Sequence, residues 1–230
     1  MARTDYQNPG TPGFTQKSFT ENGAFWLGPL IYGYSNGSFA MTSNTSPNPN
    51  STAYRVVGGI GTRQFGLFRG SAYFGHQGSE IQAGGQAGGE VYGGAISYYP
   101  TPLWTLTAAI DETVNISSET SVSTQALAIP AQTPLQIPLS SSTRITATSL
   151  QTTYTISRQW STSGSLSNTK VQYLNSSRLD NSWLAEATLS YDIWRNMTLA
   201  WDYQYATIVS NVPFMSSKRN YINISATYKF

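Results

Sequence analysis

From Asn220 to the carboxyl terminus the chain alternates strictly. Ile222, Ile224, Ala226, Tyr228 and Phe230 fall on one side of an extended backbone, and Tyr221, Asn223, Ser225, Thr227 and Lys229 fall on the other. A period of two describes a strand with two different environments. Its apolar side ends in large aromatic residues at the last positions, where a terminus frays unless it is tied into a sheet. About ten alternating residues also suffice for a tilted strand to cross a bilayer. The stretch therefore fits a half-buried strand of a soluble sheet or a membrane strand, and the rest of the chain decides between them.

Only 10% of the 230 residues are charged, against about 25% in ordinary soluble domains. Mean hydropathy is nevertheless −0.28, so the polarity resides in Ser, Thr, Asn, Gln and Tyr. A surface poor in charge is what contact with lipid demands. The formal net charge of +2 without a basic run gives no footprint for nucleic acid. The absence of cysteine removes disulfide frameworks, thiolate metal sites and cysteine nucleophiles together. No cluster of His and carboxylates has metal-ligand spacing, so neither metal nor cofactor is expected. No apolar run approaches the roughly 20 residues of a membrane-spanning helix. Residues 1–20 lack the basic start and apolar core of a signal peptide, so an exported protein of this sequence would be a mature form or a fragment.

Gly, Pro and β-branched residues interrupt every window in which a helix could run. Alternation instead predicts about ten strands, over 24–44, 52–63, 65–75, 90–99, 103–117, 144–157, 160–174, 182–193, 197–209 and 219–230. The expected organisation is a polar lead over 1–23 and a barrel over 24–230. A bend at Gly33 or Gly37 would fold the first strand, and a parity change between Leu166 and Val171 predicts a bulge. The connections alternate long and short: 45–51, then 64, then 76–89, then 100–102, and so on through 118–143, 158–159, 175–181, 194–196 and 210–218. In an antiparallel meander successive turns lie at opposite ends, so every tight turn shares one end. That sorting fits an antiparallel up-and-down transmembrane β-barrel with short periplasmic turns and long outer loops. Phe65, Phe68, Tyr98, Tyr99, Trp104, Trp160, Tyr191 and Trp194 lie beside the tight turns and predict an aromatic belt at the lipid headgroups.

Four motifs carry a family likeness: Tyr92-Gly93-Gly94 with Tyr98-Tyr99-Pro100-Thr101-Pro102-Leu103, Asp180-Asn181-Ser182-Trp183-Leu184, Asp202-Tyr203-Gln204-Tyr205, and Ala226-Thr227-Tyr228-Lys229-Phe230. With them the chain resembles, over 54–230, the putative β-barrel porin family of alphaproteobacterial outer-membrane proteins. The resemblance implies a non-enzymatic barrel in the bacterial outer membrane whose partners are the lipid bilayer and the outer-membrane assembly machinery. It also implies that Tyr228 and Phe230 form the assembly signal.

Other constellations are weaker. His76 with Ser79 and Glu80 falls in an expected loop, where a rim enzyme that modifies lipids could place a catalytic pair, although a solvated loop histidine is the commoner case. Gly58-Gly59-Ile60-Gly61-Thr62 lacks the lysine of a phosphate loop and lies on an expected strand, where glycine relieves curvature. The 118–143 insertion has enough apolar content to fold into the barrel mouth or to lie as a surface loop. If Trp104-Leu106-Ala108-Ile110, Leu189-Tyr191-Ile193 and Leu199-Trp201-Tyr203-Tyr205 face lipid, then Arg55, Arg63, Arg69, Asp111, Glu186, Asp192, Asp202, Gln204 and Lys229 face the lumen. In a closed barrel of about ten strands the arginines lie across from most of the acids, and so narrow a lumen is filled by side chains. The expectation is then mutual neutralisation of these charges and very small or no steady conductance, with an open pore if further strands or partner chains widen the barrel. Function is expected to be passive passage of small solutes or structural service. The alternative is a surface-binding or adhesion barrel with a filled lumen, acting through its long outer loops.

Overall fold

The computed structural model describes residues 2–6, 14–44, 50–82, 85–117, 141–174, 176–194 and 196–228. These form one antiparallel sheet of twelve strands: β1 (Ala2–Tyr6), β2 (Phe14–Trp26), β3 (Ile31–Asn44), β4 (Ser51–Thr62), β5 (Phe68–Ile81), β6 (Gly85–Thr101), β7 (Trp104–Ser117), β8 (Ser141–Thr155), β9 (Trp160–Tyr173), β10 (Leu179–Trp194), β11 (Met197–Ser210) and β12 (Ser217–Tyr228). Each strand pairs with its sequence neighbour, so spatial order follows chain order. Among the described residues β1 pairs only with β2 and β12 only with β11.

Several expectations are corrected. The count of about ten becomes twelve described strands, because β1 and most of β2 arise within the stretch read as a polar lead. Phe19 and Phe25 share a side there, but Glu21 and Gly23 stand between them and no alternation shows. The expected first strand over 24–44 is the end of β2, a turn at 27–30, and β3. The expected long connection over 76–89 is strand along most of its length, with only 82–84 between β5 and β6. Glycine richness suggested a loop, whereas the pairing His76↔Glu90 through Ile81↔Gly85 forms a ladder. The tight turn placed at Gln64 centres instead on Gly66, whose φ of 58° is left-handed and suits glycine, between the paired residues Phe65 and Phe68. No bulge interrupts β9, whose registers with β8 and β10 run without a shift. Register shifts occur beside the tight turns, between Tyr98 and Thr101 and between Asp192 and Trp194.

Connections still sort by end. One end carries 27–30, 63–67, 102–103, 156–159 and 195–196; the other carries 7–13, 45–50, 82–84, 118–140, 174–178 and 211–216. Directly paired residues share a face of the sheet, and the registers carry that identity from strand to strand. One row runs Ala24, Tyr34, Gly59, Tyr73, Gly93, Asp111, Ala147, Thr169, Ser182, Ile208, Ser217. The row on the opposite face beside it includes Phe25, Ile60, Ala72, Ile110 and Trp183. The three apolar sets expected from alternation in β7, β10 and β11 lie on this second face.

The apolar face is open to its surroundings. Ile60 is 59% exposed, Ile96 52%, Leu150 43% and Leu166 44%. A continuous exposed apolar surface of this extent requires a nonaqueous partner. At the short-turn end aromatic rings meet across strands on the same face: Phe68 and Tyr98 at 4.8 Å, Trp104 and Tyr154 at 6.3 Å, Trp160 and Tyr191 at 4.5 Å, and Trp160 and Trp201 at 6.2 Å. This is the geometry of an interfacial belt. The buried cluster is small and unites Val57, Ala87, Val91 and Val114, with Tyr73 packed against it. Gly75 lets β5 approach β4 there, since a Cβ would overlap the Val56 carbonyl oxygen.

Candidate functional site on the polar face

The polar side of the sheet, opposite the apolar face, carries two chemically distinct halves. On β2 to β6 the registers place Arg55 and Arg69 with Tyr34 and Tyr73, and a row of glycines lies beneath the rings. Tyr32 covers Gly61, Tyr34 covers Gly59 and Tyr73 covers Gly93, each ring occupying the space a Cβ would need. The glycines thus allow large rings to lie flat along the wall. Trp26 and Tyr32 meet at 5.3 Å, and Tyr32 and Tyr34 at 6.0 Å.

Three arginines attend these rings. The Arg63 guanidinium lies 4.0 Å from the Trp26 ring centroid, and that of Arg55 lies 5.1 Å from the Tyr73 centroid. Both are in cation–π range. Arg63 and Arg69 share a cavity of about 360 Å³ with Trp26, Tyr32 and Tyr99. Arg55 borders a second of about 530 Å³ with Asn22, Tyr34, Asn36 and Tyr73. Its Nε is buried and makes no hydrogen bond.

The acids occupy the other half and are held by neutral donors. Glu186 accepts from Ser165 Oγ at 3.0 Å and from Gln204 Nε2. Asp202 accepts from Thr188 Oγ1 at 2.8 Å and Asn223 Nδ2 at 3.2 Å, and Asp192 accepts from Thr198 Oγ1 at 2.6 Å. Asp111, nearer the basic half, accepts from the Tyr73 hydroxyl. The expected meeting of arginines with acids across the lumen is absent among the described residues. Glu186, Asp192 and Asp202 are instead satisfied on their own wall, because neighbouring strands supply Ser, Thr, Asn and Gln within reach. Lys229 and Phe230 lie outside the described residues, as do 118–140 of the long insertion; Tyr228 ends β12.

Sequence reasoning missed Trp26, Tyr32, Tyr34 and Tyr73 and turned Tyr99 toward lipid with Tyr98. Treating aromatic residues as lipid-facing caused the error. The signal that could have found them is the tyrosine-on-glycine pairing just described.

At the long-connection end a separate network ties the rim. Arg178 donates from Nε and Nη2 to Asp180, the shortest contact being 2.6 Å, and its guanidinium lies 4.5 Å from the Tyr173 ring centroid. Tyr173 and Ser210 hydroxyls also donate to Asp180, at 3.2 and 2.6 Å. Hydrogen bonding to Asp180 raises the Arg178 pKa above its ordinary value, against the desolvation that opposes it. Val171, paired with Asp180 in a register without a shift, is buried and keeps the parity of the polar face. His76 is part of β5 and stacks on Tyr54 at 6.0 Å, opposite Val56 and Glu90, away from the polar face. Gly58 to Thr62 runs within β4 and opens no helix.

Known proteins agree with this architecture. The family model described as "Putative beta-barrel porin 2" matches residues 38–230. The outer membrane channel DcaP of Acinetobacter baumannii is similar in structure at 14% identity and TM-score 0.58, covering 95% of this chain and 62% of that one. The chain thus spans less than two thirds of that channel. The NanC porin matches at 12% identity and TM-score 0.42, over 99% of this chain and 98% of that one. No curated protein matches the sequence. With the family model covering most of the sequence and the sheet built as an up-and-down barrel wall, the chain belongs to this porin family and is an outer-membrane β-barrel protein.

Proposed function

We propose that the chain forms the wall of a water-filled channel for passive passage of small polar solutes, with the Arg55 face lining the lumen and no enzymatic role. The observation that carries this reading is the separation of charge on the polar face: Arg55 on β4 and Arg63 just beyond it engage rings, acids on β10 and β11 engage neutral donors, and among the described residues neither set neutralises the other. Opposed, unneutralised charges lend a lumen a transverse field that favours polar over apolar solutes. Twelve strands also make a wider wall than the ten on which a filled lumen was expected. The stacking of His76 on Tyr54 within a strand gives a rim enzyme no support. Tyr228 and Phe230 remain the proposed signal for the assembly machinery.

Planar-bilayer recording of the purified protein tests the proposal. A stable conductance is expected, and Arg69→Ala combined with Asp202→Ala should shift the reversal potential in a salt gradient while preserving the open state. Absence of any steady conductance in correctly folded protein refutes the channel.

A further inference from the structure

We infer that the basic half of the polar face is a binding track for small aromatic carboxylates, with its primary site in the cavity of Trp26, Tyr32, Arg63, Arg69 and Tyr99. This deepens the channel reading and rests on its assignment of the polar face to the lumen. The chemistry follows from what lines the cavity. Two guanidiniums open onto about 360 Å³ that no carboxylate lines, and among the described residues none lies within ion-pair distance of either. The Arg63 guanidinium carbon lies over the Trp26 ring, and no carboxylate among the described residues takes its N–H groups, which leaves them for a ligand. Guanidinium N–H pairs match the two oxygens of a carboxylate, and the charge-assisted bonds gain strength in a partly desolvated site.

The rings define the rest of the ligand. Trp26, Tyr32 and Tyr34 form a continuous aromatic strip from the first cavity to the second, where Arg55 waits with a buried Nε that no protein group uses. A planar carbon frame gains offset or edge contacts along such a strip. A carboxylate on that frame can pass from the Arg63 and Arg69 pair toward Arg55. Asp111 accepts from the Tyr73 hydroxyl and, among the described residues, forms no ion pair with these arginines. The first cavity lies at the short-turn end, between the connections 27–30 and 63–67, which makes it a terminal station of the lumen.

Calorimetric titration of the folded, detergent-solubilised full chain with benzoate, acetate, benzyl alcohol and inorganic phosphate tests the inference. Benzoate should give saturable binding, weakened at least tenfold in acetate and in benzyl alcohol, which lack the ring and the charge respectively. Arg63→Gln with Arg69→Gln should weaken benzoate at least tenfold. The double lysine variant at the same positions keeps the charge but loses the fork and should fall between. Trp26→Leu should erase most of the preference for benzoate over acetate. Heat-modifiable gel mobility verifies that each variant is folded, and the lysine variant serves if the glutamine one is not. No saturable benzoate binding, an unchanged affinity in the folded double variant, or tighter binding of phosphate than of benzoate overturns the inference. The readout does not require conduction: conduction without benzoate binding removes only the track, and binding without conduction removes only the channel.

Discussion

Leu150 and Gln151 are adjacent in β8 and face opposite sides of the wall, so arginine at each separates the two environments. Leu150 pairs with Ala108 and Leu166 on the apolar face, whereas Gln151 pairs with Thr107 and Ser165 on the polar face. Tyr154, in the aromatic belt with Trp104, lies four residues further along the same strand. At about 3.3 Å per residue this is about 13 Å of strand, or about 10 Å along the membrane normal at a tilt of about 40°. An apolar band about 25 Å tall has its midplane about 12 Å from the belt, so Leu150 lies close to it. Leu150→Arg should therefore cost about 2–4 kcal/mol, roughly a 30- to 900-fold change in the folding equilibrium. Gln151→Arg should stay within about 0.5 kcal/mol. Guanidinium titration of folding into lipid vesicles, read by heat-modifiable gel mobility, measures both. Equal penalties, or a cost below about 1 kcal/mol for Leu150→Arg, would refute the assignment of faces and with it the lumenal placement of the arginines.

Gly75→Ala should destabilise by about 1–3 kcal/mol in the same titration, because its Cβ would overlap the β4 backbone at Val56 and Val57 and the Val57 side chain. Asp180→Ala leaves Arg178 partly buried without its carboxylate and should cost about 3 kcal/mol, with faster proteolysis within 174–178 and 211–216 as the local readout. Protease added to intact cells should cut within 118–140 if that insertion is an outer loop; cleavage only after membrane rupture would reverse the orientation of the barrel.

Two-residue periodicity carried most of the fold into view before any coordinate. Each strand must hydrogen-bond to a neighbour and also separate lipid from water, and that double demand writes Trp104-Leu106-Ala108-Ile110 and Leu199-Trp201-Tyr203-Tyr205 into the chain as local patterns. Connection lengths and belt aromatics are local as well, so the meander and the membrane followed. Where polar residues occupied both sides, as in β1 and β2, or glycine diluted the pattern, as between His76 and Gly89, the local signal failed although the ladder formed. Ladder pairing is a property of two strands, and a single strand's composition does not report it. The candidate site depended on tertiary structure for the same reason. Alternation named Arg55, Arg63 and Arg69, but whether they would meet acids or rings was decided by register, which set Tyr32, Tyr34 and Tyr73 over glycines on the adjacent strand and gave Glu186 and Asp202 neutral donors from theirs. Side-chain parity is written residue by residue, whereas the partner across the ladder is chosen only when two strands, distant or near in sequence, come to lie about 5 Å apart.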